Sequence, residues 1–309
     1  MQQKKNSVLM DIRKRWMLHL FVWLGILFLI AFSIVPMMGL QIAFREFELK
    51  KGFASIFTGK WVGMKYMNQF VTDRKFWTLI VNTFAISLLK LIICFPAAIL
   101  FAVMLSEMRG RGFKRVVQTA SYLPHFVSWV IVSGILQTFF STYNGLFSEL
   151  LKQIGLEPIP ILSNAKYYYG LAVFSEVWKE TGWGAIIYLA AISGIDPSLY
   201  ESAQIDGAGR MRRIWHITLA GIKDTVAIML ILTIGNMIGN ANFEQALLLG
   251  NTANVAKSEI LQTYIYKVGL SQGRYSYAAA AGLFQSMISL ILVVTANEVS
   301  RRLGAGSIY

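Results

Sequence analysis

From Trp16 to about Leu40 the chain is apolar without a break, behind the basic residues Lys4, Lys5, Arg13, Lys14 and Arg15. Nothing else constrains the fold as much. A stretch of that length crosses about 30 Å of hydrocarbon as a helix, the form that satisfies its own backbone hydrogen bonds where water is absent. It is longer than the apolar part of a secretory signal and lacks an A-x-A cleavage site, so it reads as an uncleaved first span. Further apolar stretches occupy about 78–106, 116–140, 167–194, 224–249 and 275–300. The expected fold class is therefore all-α integral membrane, with six transmembrane helices. A cytoplasmic tail at 1–15 precedes one transmembrane domain over 16–309. Only 15% of residues are charged, against about 25% in soluble domains.

The net charge of +13 raises the question of nucleic acid, but the basic residues collect at the ends of apolar runs, as membrane flanks do. No nucleic-acid partner is expected. With the N-terminus inside, segments 1–15, 107–115, 195–223 and 301–309 carry fifteen Lys/Arg, and the longer external segments carry twelve. Both termini are thus expected in the cytoplasm of a multi-pass cell-membrane protein. Cys94, the single cysteine, lies inside an apolar run and forms no disulfide within the chain. The scattered His19, His125 and His216 suggest no metal, no nucleophile–base set suggests catalysis, and no P-loop suggests ATP binding by this chain.

Between two apolar runs lies a polar stretch, YESAQIDGAGRMRRIWHITLAGI, from Tyr200 to Ile222. Asp196-Pro197 is a helix-start signal, Asp as cap and Pro in the first turn. Gly207 and Gly209 then break the helix, and a second one resumes at Arg210, anchored by Ile214, Ile217 and Leu219. The residues alone allow two readings of this helix–glycine elbow–helix: a connector lying on the membrane surface, or an element with a partner.

The stretch resembles the EAA loop of bacterial ABC importer permeases, whose pattern runs E-A-A-x-x-D-G-A and continues to I-x-L-P. Glu201, Ala203, Asp206, Gly207, Ala208, Ile217 and Leu219 match; Ser202 replaces a small residue, and Ala220 stands in the place of proline. PMMGLQIAF, WVGMKYM, Asn82-Thr83, FPAAILFAVML and FKRVVQTASYLPHFVSWV extend the resemblance over nearly the whole chain, to the LplB-type polysaccharide permeases of the carbohydrate-uptake branch. The resemblance implies a type I ABC importer permease fold with a MetI-like core, and an EAA loop at 195–223 acting as a cytoplasmic coupling helix. Glu201, Ala203, Asp206, Gly207, Ala208 and Arg210 would meet the ATPase. It also implies an ATPase dimer that binds ATP and Mg, a second and non-identical permease, an extracellular substrate-binding lipoprotein and a saccharide cargo. The missing proline is expected to soften the stop after the second helix.

Polar groups within spans are costly and so mark a candidate route. Glu176, Glu180 and Trp183 fall at i, i+4 and i+7, with Lys179 beside them, and Asn236, Asn240 and Phe243 repeat the spacing. Carboxylates, amides and aromatic faces suit saccharides. Lys90 belongs to the same set or pairs structurally; Gly235 and Gly239 also suit helix packing, and Trp178 suits an interface anchor. Pro124 kinks the Tyr122–Phe126 stretch, His125 reads as structural, and Tyr167–Tyr169 reads as an outer aromatic belt. Segment 141–166 offers a docking surface for the binding protein. The first external segment sets seven Lys/Arg against Glu46, Glu48 and Asp73, which favours an acidic, uronate-containing cargo. The competing function is a proton-coupled secondary transporter working through Glu176 or Glu180.

Overall fold

A computed structural model of the chain describes residues 14–239, 242–304 and 306. The described chain is helical apart from one isolated antiparallel bridge, Arg45 to Trp61. The elements used below are α1 (Trp16–Phe44), α2 (Phe76–Glu107), α3 (Arg111–Phe126), α4 (Trp129–Phe139) and α5 (Ala165–Ser193). There follow α6 (Pro197–Ile205), α7 (Arg210–Gly221), α8 (Lys223–Met237), α9 (Phe243–Leu249), α10 (Leu261–Tyr266) and α11 (Tyr275–Arg302). Two compact units divide the chain, one holding the residues up to Val71 with Val268–Leu283, the other Thr72–Lys267 with the residues from Phe284 on.

In the first unit, α1 passes through a π turn at Ile30–Ile34 and a 3₁₀ turn at Met38–Phe44, and its apolar window buries nothing within the chain. The segment after it folds back onto its end. Glu46 N donates to Lys60 O (2.9 Å) and Val62 N to Phe44 O (2.9 Å). The Arg45 guanidinium ties the fold-back by donating to Phe57 O (2.7 Å) and Gly59 O (3.0 Å), and lies over Trp61. Lys65 bonds Glu46 at 3.0 Å, and that ammonium holds the Glu46 carboxyl below its usual range.

In the second unit, α2 and α5 pack along their lengths, with Ala98, Ala102, Ala185 and Tyr188 buried between them and their neighbours. One face of α2 carries Thr83, Ser87 and Lys90 at helical spacing, all buried. Next to Thr83, the Asn82 amide donates to Ala256 O and Glu259 O (both 3.0 Å). Thr83 Oγ1 accepts from Leu261 N (2.9 Å), so α2 holds the 256–261 loop that leads into α10.

Three sequence expectations are corrected. The stretch 116–140 is not one straight span: α3 ends in a 3₁₀ turn at Leu123–Phe126, and α4 leaves it at 99°. Pro124 tightens that turn, and the Ser128 hydroxyl caps the new helix by accepting from Ile131 N. The stretch 224–249 is not continuous either, because α8 stops at Met237 and α9 begins at Phe243. Nor is Tyr167–Tyr169 an outward belt: Tyr168 is buried, and the Tyr169 hydroxyl donates to Asn82 Oδ1 (2.7 Å).

Among the described residues, α1, α2 and α11 are each long and apolar enough to cross a membrane, and five spans result if each bent pair, α3–α4 and α7–α8, counts as one. α5 has the length, 29 residues, but carries Lys166, Glu176, Lys179 and Glu180.

Gly182 marks where α5 meets α3, for a Cβ there would collide with the Ser121 carbonyl. Gly182→Ala is expected to cost about 1–3 kcal/mol by overpacking, read as a lower unfolding temperature in detergent. Gly170→Ala on the same helix faces open space and should not lower it.

Candidate functional site

A cavity of about 430 Å³ opens among α2, α5, α8 and Asn242. Phe95 and Tyr188 give it aromatic walls, and its polar lining comes from Ser87, Lys90, Glu176, Glu180, Thr181, Asn236 and Asn242. Lys90 Nζ bonds Glu176 Oε2 at 2.8 Å from α2 to α5, with both side chains largely buried. Glu180 is held twice from outside the lining, by Lys179 Nζ (2.8 Å) and by His125 Nδ1 (2.6 Å). Lys179 also donates to the His125 carbonyl (2.8 Å), so one buried ammonium braces both α5 and the corner that ends α3.

The sequence-derived residues divide accordingly. Glu176, Glu180, Asn236 and Lys90 line the cavity together. Trp183 does not; its ring stacks flat on His125, 4.3 Å between centroids, and backs the residue that holds Glu180. Phe243 does not either, since it packs edge-on against Tyr266. Asn240 lies outside the described residues. The helical-face argument fails for Phe243, because α8 ends at Met237 and Phe243 opens α9.

Asn242 is the residue that the sequence reading missed. The Ser87 hydroxyl donates to the Met237 carbonyl (2.7 Å), and Asn242 Nδ2 donates to Ser87 Oγ (3.0 Å) and Met237 O (3.3 Å). These bonds cap α8 and hold Asn242 in the cavity wall. Asn242 Oδ1 is buried without a partner, and so is Thr181 Oγ1 on the same lining. Each such group costs about 1–3 kcal/mol while unsatisfied. Gly235 and Gly239, which interrupt the apolar pattern, were the available signal. Among the described residues, no cluster of three or more His, Cys, Asp or Glu side chains could hold a metal ion.

The second feature is the elbow. Asp196 caps α6 by accepting from Ser198 N (2.9 Å), with Pro197 in the first turn. The helix ends in a Schellman motif: Ala208 N donates to Ala203 O (2.8 Å) and Gly207 N to Gln204 O (3.1 Å). That closure needs a left-handed residue, and Gly207 supplies it at φ +74°. Glu201, Asp206 and Gly207 are exposed, while Ala203 and Ala208 are partly covered. Ile205 and Met211 stand out at 87% and 73% exposure, an apolar pair at a polar tip. Arg210 opens α7 and donates from Nε to Glu107 Oε2 (2.8 Å) at the end of α2. The Tyr200 hydroxyl bonds Thr218 Oγ1 (3.0 Å), tying α6 to α7. Despite Ala220 in place of proline, α7 stops firmly: Ile222 is buried, and α8 departs at 60°.

Residues 94–304 match the family described as "Binding-protein-dependent transport system inner membrane component". The "Polygalacturonan/rhamnogalacturonan transport system permease protein YteP" of Bacillus subtilis (strain 168) is 40% identical over 308 residues, 100% of this chain and 95% of that protein. "Protein LplB" of the same organism is 40% identical over 290 residues, 94% of this chain and 90% of that protein. Among solved structures, a chain of a bacterial ABC transporter involved in the import of the acidic polysaccharide alginate is similar with a TM-score of 0.88 at 36% identity, over 96% of this chain and 99% of that one. The same transporter in complex with alginate pentasaccharide-bound periplasmic protein gives a TM-score of 0.88 as well.

The backbone bond from Ser198 holds the Asp196 carboxyl below its ordinary pKa. A depressed folded pKa means the cap contributes fully above the ordinary carboxylate range and is lost as pH falls through the depressed value. Asp196→Ala should therefore speed amide hydrogen exchange several-fold across Pro197–Ile205 at neutral pH, and the wild-type chain should approach that rate only in acid.

Proposed function

The chain belongs to the inner-membrane components of binding-protein-dependent transport systems, and from that premise we propose that it is the membrane-spanning permease subunit of an ATP-driven importer of oligo- or polysaccharides, uronate-containing ones included. One observation carries the reading. The bent pair α7–α8 begins at the exposed elbow and ends at the cavity, where Met229, Leu232, Thr233, Asn236 and Met237 form part of the wall. A force on the elbow thus reaches the cavity through one stiff element. The Arg210–Glu107 contact passes it in parallel to α2, which supplies Ser87, Lys90 and Cys94 to the same cavity.

The remainder of the assembly follows from what this chain lacks. It has no phosphate-cradling loop, so ATP and Mg belong to a separate ATPase dimer that meets Glu201, Ala203, Asp206, Gly207, Ala208 and Arg210. The bare apolar surface of α1 calls for lipid and a second permease, for which a non-identical partner is the better fit. An extracellular lipoprotein delivers the saccharide to the 141–166 face. The sixth span is α5: its charges are tolerable in a bilayer because Glu176 and Glu180 are each paired with a lysine. Both termini then lie in the cytoplasm. The same pairing gives each carboxylate a fixed counter-charge, an arrangement that suits a positioned site.

Valine at Gly207 would have to adopt a left-handed backbone, a strain of about 1–3 kcal/mol that depopulates the elbow roughly tenfold to a hundredfold. Gly207→Val should lower ATP-dependent oligosaccharide uptake to that extent while the protein still inserts and accumulates; normal uptake at normal abundance would sink the coupling role.

Cys94 gives a reporter in the unmodified protein, being the chain's single cysteine and part of the cavity wall. Oligogalacturonate should slow alkylation of Cys94 by a membrane-permeant maleimide in the assembled transporter. An unchanged rate at saturating saccharide would remove the cavity from the route.

A further inference from the structure

Three charged side chains line the cavity: Lys90, Glu176 and Glu180. Glu180 is already bound by Lys179 and His125 from behind the wall. Lys90 is therefore the one cation that the described lining presents, and its partner Glu176 stands on that same lining. We propose that Lys90 is the carboxylate-binding residue of the cavity, and that Glu176 occupies it as an internal counter-ion which a uronate carboxylate displaces. This rests on the transport reading above and extends it from a saccharide in general to the group that selects the acidic kind.

The chemistry follows from burial. Lys90 is only 9% exposed, and an ammonium so placed needs a counter-charge in every state of the cavity. An empty cavity supplies one from Glu176. A uronate brings a second carboxylate with the same two acceptor oxygens, so exchanging one for the other leaves the lysine neutralised throughout. The released Glu176, 18% exposed at the side chain, then accepts from hydroxyls of the same sugar. A uronate carries both groups at once, carboxylate and hydroxyl, and so replaces both halves of the bond it breaks. A neutral sugar has hydroxyl oxygens but no carboxylate to offer Lys90, so it cannot replace the counter-charge and meets the pair intact.

Of the seven basic residues of the first external segment, Lys50, Lys60 and Arg74 are exposed and the other four are engaged within the protein. Lys51, Lys65 and Lys75 are bonded to Glu48, Glu46 and Glu259, and Arg45 is spent on backbone carbonyls. Discrimination at Lys90 requires no surplus of positive charge, only a counter-ion that can be exchanged.

The experiment uses the assembled transporter in proteoliposomes and compares uptake of oligogalacturonate with that of a neutral oligosaccharide of equal length. Lys90→Met should lower the acidic-to-neutral ratio roughly tenfold to a hundredfold, the scale of a lost hydrogen bond between charged groups, and Lys90→Arg should restore most of it. Glu176→Gln removes the competitor and should raise the ratio. If the pair is only structural, both Lys90→Met and Glu176→Gln reduce uptake of the two saccharides in parallel with the ratio unmoved, and the proposal is overturned. A second reading comes from Cys94, one helical turn beyond Lys90 on α2 and on the same wall. The rate of an anionic methanethiosulfonate relative to a cationic one at Cys94 should rise in Glu176→Gln and fall in Lys90→Met; equal ratios in all variants count against Lys90. Should the wild-type assembly move neither saccharide, the transport reading fails, and the Cys94 rates still decide whether Lys90 presents its charge to the cavity.

Discussion

A helix that ends within an apolar core leaves its last carbonyls without donors, and the cavity depends on how α8 meets that constraint at Met237. The Ser87 hydroxyl donates to the Met237 carbonyl, and the Asn242 amide donates to both. Gln285 Nε2 reaches the next carbonyl, at Ile238 (2.8 Å). Beyond the break, Gln245 anchors α9 to α5 through Ala172 O and Ser175 Oγ. Each donor comes from a side chain that is mostly or fully buried, so none is easily replaced by water. With the end of α8 capped from α2 and α9 anchored to α5, Asn242 takes its place in the cavity wall.

Charge is handled by the same rule of local satisfaction. Lys90 with Glu176, and Lys179 with Glu180 and His125, leave no carboxylate or ammonium of the cavity region without a bonded partner. Buried pairs of this kind rarely add net stability, since well-packed apolar residues of similar volume do as well or better. Their presence in α5 therefore points to use, and the pairing gives Glu176, Lys179 and Glu180 each a counter-charge. The cost of burying the charges and the shape of the cavity are thus one problem with one solution.

Sequence reading reached those features whose cause is local. Apolar length marks α1, α2 and α11; Asp196-Pro197 and Gly207 mark the two ends of α6; Lys179 beside Glu180 was a plausible neutraliser and is bonded to it at 2.8 Å. It failed where the cause lies far along the chain. Asn236 and Phe243 share a face only if α8 continues, and Ser87, whose hydroxyl donates to the carbonyl of its last residue, lies 150 positions away from Met237. Tyr168 and Tyr169 look like belt residues by composition, yet Asn82 on another helix takes the Tyr169 hydroxyl. Pro124 signalled a kink, but not that the chain would leave it at 99°. Periodicity gives a helix's faces; it does not say which tertiary hydrogen bond will end it.

The elbow belongs to the legible part because its shape is held chiefly by the backbone. The bonds that close α6 run between main-chain atoms of Ala203, Gln204, Gly207 and Ala208, so the surrounding side chains can vary while the turn persists. A left-handed position is required at Gly207. The absence of proline at Ala220 matters little by the same logic. A proline would end α7 by removing a donor and crowding the preceding turn, whereas here the stop is made by buried Ile222, with Gly221 packed against Ile195. Packing at Ile222 accompanies the 60° angle between α7 and α8, and the proposed coupling of the exposed elbow to the cavity wall at Asn236 and Met237 depends on that angle being held.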